Sequence, residues 1–240
     1  MKRSLLKPVL FCAMVAAWGF PGLAMVQETS VLEPSLLVEG DWKALVGPYP
    51  LPGSGGAERD LAVLLYLQQS RTLEDIGRAQ AGIRIAMTSF ADLLDREADP
   101  GHFPLTLAVL DRANSDLRGV LDPLKWHYLR PRPFSSHAEL VPAIEKEASH
   151  SYPSGHATRG VLYAAILAEF QPGQQALLLA RGHRLGNDRA VGGVHWPSDV
   201  HAGQQLGTAF AKAWLAMPDH RHLVKTAAEA EWDARPSLIP

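Results

Sequence analysis

Two histidines, one aspartate and a handful of cations stand at spacings that could do chemistry together. The first cluster is Lys125-Trp-His-Tyr-Leu-Arg-Pro-Arg132-Pro133, three cations in a proline-interrupted segment that reads as something other than a regular helix. The prolines stiffen the chain where Arg132 projects. A guanidinium offers a planar fork of donors to two oxygens of one anion, and a lysine offers a compact point charge. The second cluster, Tyr152-Pro-Ser-Gly-His156, stands before an apolar-periodic stretch. Ser154 reads as an N-cap and Gly155 lets another group approach the backbone. The first helical turn then offers free N–H groups and the positive end of the dipole, with His156 facing the same anion. The third runs from Asp188-Arg189 to His195-Trp-Pro-Ser-Asp199. Gly192 and Gly193 place His195 at a loop-to-helix junction, with Pro197 starting the next helix. Asp199, four residues on, can accept the imidazole N–H and leave the other ring nitrogen free as a nucleophile.

Each cluster has a plainer reading: a solvated basic loop, a capped helix with an incidental histidine, and a His-x3-Asp pair that ligates a metal or makes a buried hydrogen bond. Together they match what phosphoryl transfer asks of a protein that uses no metal. Arg, Lys and backbone N–H groups neutralise the equatorial oxygens, and two histidines in opposite protonation states supply an in-line nucleophile and a proton for the leaving oxygen.

The strings Lys125-x6-Arg132-Pro133, Pro153-Ser-Gly-His156 and Arg189-x5-His195-x3-Asp199 resemble the type 2 phosphatidic acid phosphatase and vanadium haloperoxidase superfamily. Among its branches they are most similar to class A bacterial non-specific acid phosphatases. The motifs span about a third of the chain. The resemblance implies an all-α fold and a metal-independent acid phosphatase for small phosphomonoesters, with no cofactor and, among exported members, frequent homo-oligomers. It implies that His195 attacks phosphorus, Asp199 orients it and His156 protonates the leaving alcohol, while Lys125, Arg132, Ser154, Gly155 and Arg189 hold phosphate oxygens. Vanadate-dependent halide oxidation and non-catalytic phosphate binding are the alternatives. One position departs from the family's pattern, in which a serine precedes the second arginine: here it is Asp188, expected to turn away and pair with Arg189 or Arg184.

The elements that must position these groups read as helices. Leu61 to Tyr66 begin a helical period after residue 58, Thr72 caps a segment carrying Ile76, Ile83, Met87, Phe90 and Leu94, and Leu107 to Leu121 form a third stripe. Later helices are expected over 155–170, 174–185 and 197–217, which gives one all-α domain of six to eight helices over 59–240. Residues 25–58, rich in Pro and Gly, read as an irregular arm. Residues 1–24 have a basic start, the apolar run Val9–Phe20 and a small-x-small ending, the pattern of a signal peptide that directs a chain to the periplasm or beyond. Its removal takes three cations, no anions and the only cysteine, Cys12, and moves the formal charge from -2 to -5. That balance argues against nucleic acid as a partner. No other apolar run approaches membrane-spanning length, which disfavours lipid phosphatases with several spans. Tyr152, Trp126 and Trp196 are read as core or leaving-group contacts. His127, His137, His150, His183 and His201 read mostly as satisfied polar contacts, and His102, His220 and His222 are placed on the surface.

Overall fold

Side-chain caps and prolines set where the helices begin. In the computed structural model, which describes residues 41–94 and 99–233, α1 (Trp42–Val46), α2 (Gly55–Ser70) and α3 (Leu73–Ala81) start after Asp41, Ser54 and Thr72. Each cap's side-chain oxygen accepts a backbone N–H from three residues on. Proline opens α4 (Pro104–Tyr128), α5 (Pro133–Ser136), α8 (Pro197–Ala216) and α9 (Pro218–Ala227), where its missing N–H costs no helical bond. Ser154 caps α6 (Gly155–Phe170), and α7 (Gln175–Val191) follows after a 3-10 turn. Nine α-helices and no strand occur among the described residues, so the fold is all-α. None of the described helices is long and apolar enough to cross a membrane. The leader pattern over residues 1–24 lies outside the described residues.

Four boundaries differ from the sequence reading. Within the described part of the arm, α1 and the start of α2 are helical, which leaves 47–54 irregular. The stripe from Ile76 to Leu94 is not one helix: α3 stops at Gly82, and Met87–Leu93 forms a separate 3-10 turn. The first cluster begins inside a helix, because α4 passes through Pro123 and carries Lys125 in its last turn. Pro123 has no N–H to give the Gly119 carbonyl, and both residues lie on the exposed face of α4, where the loss of one helical bond is tolerated. Helix α7 continues to Val191, which puts Asp188 and Arg189 on it. One surface assignment is also corrected. His220 is buried, stacked on Trp214 with ring centroids 4.1 Å apart, and bonded to the Trp214 carbonyl.

The core is organised around α6, with eleven of its sixteen residues buried. Small residues let its neighbours approach backbone to backbone. A Cβ on Gly182 of α7 would lie 2.5 Å from the Gly160 carbonyl oxygen, and one on Gly186 would lie 2.8 Å from Ala157 Cβ. On α8, a Cβ on Gly203 would lie 2.5 Å from the Ser154 oxygen and one on Gly207 2.6 Å from that of Thr158. These contacts order α7 antiparallel and α8 parallel to α6. The end of α7 and the starts of α6 and α8 therefore meet at one end of the trio. The last turns of α4 reach the same end: a Cβ on Gly155 would lie 3.0 Å from Leu121 and 3.9 Å from Lys125 Cε. Far from this end, Glu231 accepts the N–H groups of Leu105 at 2.6 Å and Thr106 at 2.9 Å, capping α4 where Phe103 supplies no side-chain cap.

Since the Gly182 contact is with backbone, no rotamer change can relieve it. Gly182→Ala is expected to lower the unfolding free energy by about 1–3 kcal/mol, measured by denaturant titration. A change near zero would mean that α6 and α7 separate freely.

Candidate active site

The turn before α8 determines where His195 points. Gly193 takes φ 77°, open to glycine and strained for other residues, and Gly192 sits directly against Ile144. His195 follows, fully buried, and Asp199 lies in the first turn of α8, also fully buried. Asp199 Oδ2 accepts the Trp196 N–H at 2.9 Å, His195 Nδ1 at 3.1 Å and Ser151 Oγ at 2.5 Å, and Oδ1 accepts Arg130 Nη1 at 2.6 Å. With Nδ1–H directed at this carboxylate, Nε2 carries the lone pair. That nitrogen faces Arg132 Nη1 at 3.0 Å.

Behind Asp199 is a second carboxylate. Arg130 bridges Asp199 to Asp60 of α2, 2.9 Å from Nη2, and also donates to Ser198 Oγ at 2.7 Å. Asp60 in turn accepts the Ser198 N–H at 3.0 Å and the Ser198 hydroxyl. The guanidinium lies between the rings of Tyr49 and Trp196, 4.9 and 5.1 Å from their centroids. Of the three cations in the first cluster, Arg130 is thus committed to the support of Asp199, a role the sequence reading did not assign. Asp60 and Ser151 were missed as well. Asp60 lies 138 residues from Ser198 with no motif around it, and only the Ser151-Tyr152 lead-in to the second cluster hinted at Ser151.

On the other side of His195 the remaining cations gather. Arg132 is buried, with Nε on the Ser149 carbonyl at 2.8 Å, Nη1 on the Val194 carbonyl at 2.9 Å, and Nη2 on Ser149 Oγ at 3.0 Å and Glu147 Oε2 at 2.9 Å. Arg189 donates from Nη2 to Glu147 Oε1 at 2.9 Å. Its Nε and Nη1 are buried without a hydrogen-bond partner among the described residues. Buried N–H groups are almost always bonded, so this pair marks a place that suits an anion. His156 donates from Nε2 to the Ile83 carbonyl at 2.9 Å, which turns Nδ1 toward Glu147 Oε1, 3.7 Å away. Lys125 donates to the His150 carbonyl at 2.5 Å. Ser154 is buried, accepts the Ala157 N–H at 3.4 Å and donates its own backbone N–H to the Asp199 carbonyl at 3.0 Å. The structure therefore brings His195, Asp199, Arg132, Arg189 and His156 around one place, with Lys125, Ser154 and Gly155 along its α4–α6 wall. Glu147, which contacts three of these groups, carried no sequence signal.

The electrostatics follow from that crowding. Burial, then the charges of Arg132 and Lys125, hold His195 well below the usual histidine range, so the ring is neutral. Burial and Arg189 lower His156 to about 4. Burial and Arg132 bring Lys125 down to about 8. Burial pushes Asp199 up, against the opposing pull of Arg130 and its hydrogen bonds. Burial would also raise Glu147, but the guanidiniums of Arg132 and Arg189 beside it hold it well below the carboxylate range. Asp188 does turn away from the site, but its partner is neither Arg189 nor Arg184. It bonds Arg78 Nε on α3 at 3.0 Å, because α7 presents that face to α3. Of the three aromatic residues, Tyr152 and Trp196 are buried, and Trp126 is exposed.

The model of a family described as the PAP2 superfamily matches residues 112–222. A non-specific acid phosphatase of Salmonella typhimurium is 36% identical over 110 residues, covering 44% of this chain and 44% of that protein. A non-specific acid phosphatase of Providencia stuartii is 28% identical over 141 residues, covering 57% of this chain and 55% of that protein. The chain thus matches about half the length of these curated relatives. Among solved structures it is similar to a transmembrane PAP2-type phosphatidylglycerolphosphate phosphatase of Bacillus subtilis, at 22% identity and a TM-score of 0.46, covering 76% of this chain and 91% of that one.

Because the fold favours neutral His156, the unfolded chain binds more protons between its own histidine value of about 6.5 and the folded value of about 4. The unfolding free energy is expected to fall as pH drops through that window, by up to about 3 kcal/mol from this residue. His156→Asn should flatten the slope in denaturant titrations in acetate and MES buffers. An unchanged slope would show that His156 is not the group taking up the proton.

Proposed function

We propose, from the premise that residues 112–222 belong to the PAP2 superfamily, that the protein is a metal-independent acid phosphatase acting on small phosphomonoesters through a phosphohistidine on His195. The observation that carries this reading is the pairing of His195 Nδ1 with buried Asp199, which leaves Nε2 aimed at the place where Arg132 and Arg189 converge. The relatives named as acid phosphatases support the reaction class. The leader pattern over residues 1–24 supports export to the periplasm or beyond.

In this reading a phosphomonoester presents its non-bridging oxygens to Arg132, Arg189 and Lys125, with the buried Nε and Nη1 of Arg189 as preformed donors. The N–H groups of Gly155 and His156 at the start of α6 have no intrahelical carbonyl to bond and add two more. His195 Nε2 attacks phosphorus, the bond to the ester oxygen breaks, and His156 Nδ1 gives its proton to that oxygen. Asp199 offsets the positive charge that forms on the imidazole. In the second half water attacks the phosphohistidine, His156 takes a proton from it, and the P–N bond breaks to release phosphate and His195. A general acid held down at about 4 is mostly deprotonated in weak acid. A phosphate dianion beside Nδ1 raises it again, so substrate binding itself charges the proton donor. Activity in mild acid follows.

Acid-labile, base-stable label should appear on the protein after quenching with labelled substrate and vanish in His195→Ala; label that survives acid contradicts a histidine nucleophile. His156→Ala should slow alkyl phosphates by about 100- to 10,000-fold but p-nitrophenyl phosphate far less, since a good leaving group needs little protonation. Equal losses on both substrates would remove His156 from the acid role. Hydrolysis should persist in chelator, and its abolition there would point to a metal-assisted reaction.

A further inference from the structure

The groups assigned above to phosphate already surround an anion that the protein supplies itself. Glu147, in the irregular segment between α5 and α6, places Oε2 on Arg132 Nη2 and Oε1 on Arg189 Nη2, each at 2.9 Å, with Oε1 3.7 Å from His156 Nδ1. Every N–H of Arg132 is engaged: one on each of the Ser149 carbonyl, Ser149 Oγ, the Val194 carbonyl, His195 Nε2 and Glu147. Arg132 can donate to a phosphate oxygen only by releasing a partner. Two of the five are backbone carbonyls and His195 is fully buried, whereas the Glu147 side chain is 28% exposed and lies on a loop. The lone pair of His195 Nε2 is itself covered by an Arg132 N–H, so moving that guanidinium onto phosphate also frees the nucleophile.

We propose that Glu147 occupies the seat of the transferred phosphoryl group, and that substrate binds and product leaves by exchange with its carboxylate. The inference rests on the phosphatase reading and adds to it a residue that sets affinity. Two anions cannot share the seat without strong repulsion, so the exchange is all or none. Each has its own advantage. The carboxylate is tethered at high effective concentration. A phosphoryl group brings three oxygens and can also reach Nε and Nη1 of Arg189, which the carboxylate leaves unbonded. Until substrate arrives, the tethered anion keeps two buried guanidiniums from facing each other uncompensated. After the reaction it returns behind the departing phosphate and limits product inhibition.

The test compares wild type, Glu147→Gln and Glu147→Asp as full chains, reading both inorganic phosphate binding, by its shift of the melting temperature, and the KM for p-nitrophenyl phosphate. Glu147→Gln should bind phosphate about tenfold more tightly and lower KM similarly, while being less stable than wild type without phosphate. Glu147→Asp keeps the charge but is one methylene too short to span both guanidiniums, so it should fall between the two; it carries the test if Glu147→Gln does not fold. Phosphate affinity that is unchanged or weaker in the variants would overturn the proposal and make Glu147 a structural clamp for the arginines. Tighter phosphate binding in a protein that hydrolyses nothing would uphold the seat and reject the phosphatase reading. Absence of both phosphate binding and hydrolysis in wild type would reject the two together.

Discussion

The site is built outward from one buried guanidinium. Arg130 is held between the carboxylates of Asp60 and Asp199, with aromatic rings on its faces, and its relative exposure is 4%. Removing one partner of a buried ion pair costs about 3–5 kcal/mol, because the other charge is left uncompensated. Here the cost would fall on the residue that orients His195. This network also joins elements remote in sequence. Asp60 comes from α2, Arg130 from the segment after α4, and Ser198 and Asp199 from α8. The tautomer and direction of the imidazole are therefore set by charges that make no contact with the anion seat.

On the opposite side of the ring the problem is reversed, since cations outnumber anions. Arg132, Arg189 and Lys125 are drawn together by α4, α7 and the segment between α4 and α5, and burial, then repulsion from these cations, depresses both histidines. A protein that gathers such charge for a doubly negative guest must tolerate it between guests. In the exchange proposed above, Glu147 meets that need at the expense of competing with the guest. Asp188 answers a related question differently. By pairing with Arg78 it anchors α3 to α7, and the Ile83 carbonyl that follows α3 in turn fixes the ring of His156.

Much of this was legible in the sequence because the residues nearest the chemistry lie in short strings with caps and helix breaks beside them. Ser154 does cap a helix over 155–170, and the glycine pair before His195 does turn the chain there. The parts that were not legible are those with long-range partners. Asp60 looks like an ordinary polar residue on a helix, Glu147 like one more charge on a loop, and Arg130 like one more cation in a basic segment. Only packing reveals their partners. Similarly, the stripe from Ile76 to Leu94 keeps helical spacing although the helix ends at Gly82, because its apolar residues face the core from both a helix and a 3-10 turn.

The most direct test of the account is a crystal structure grown with tungstate, an unreactive tetrahedral analogue of phosphate. The anion is expected between His195 Nε2 and His156 Nδ1, bonded to Arg132 and to Nε or Nη1 of Arg189, with the Glu147 carboxylate swung out to solvent. Tungstate bound elsewhere, or seated while Glu147 still holds both arginines, would contradict it.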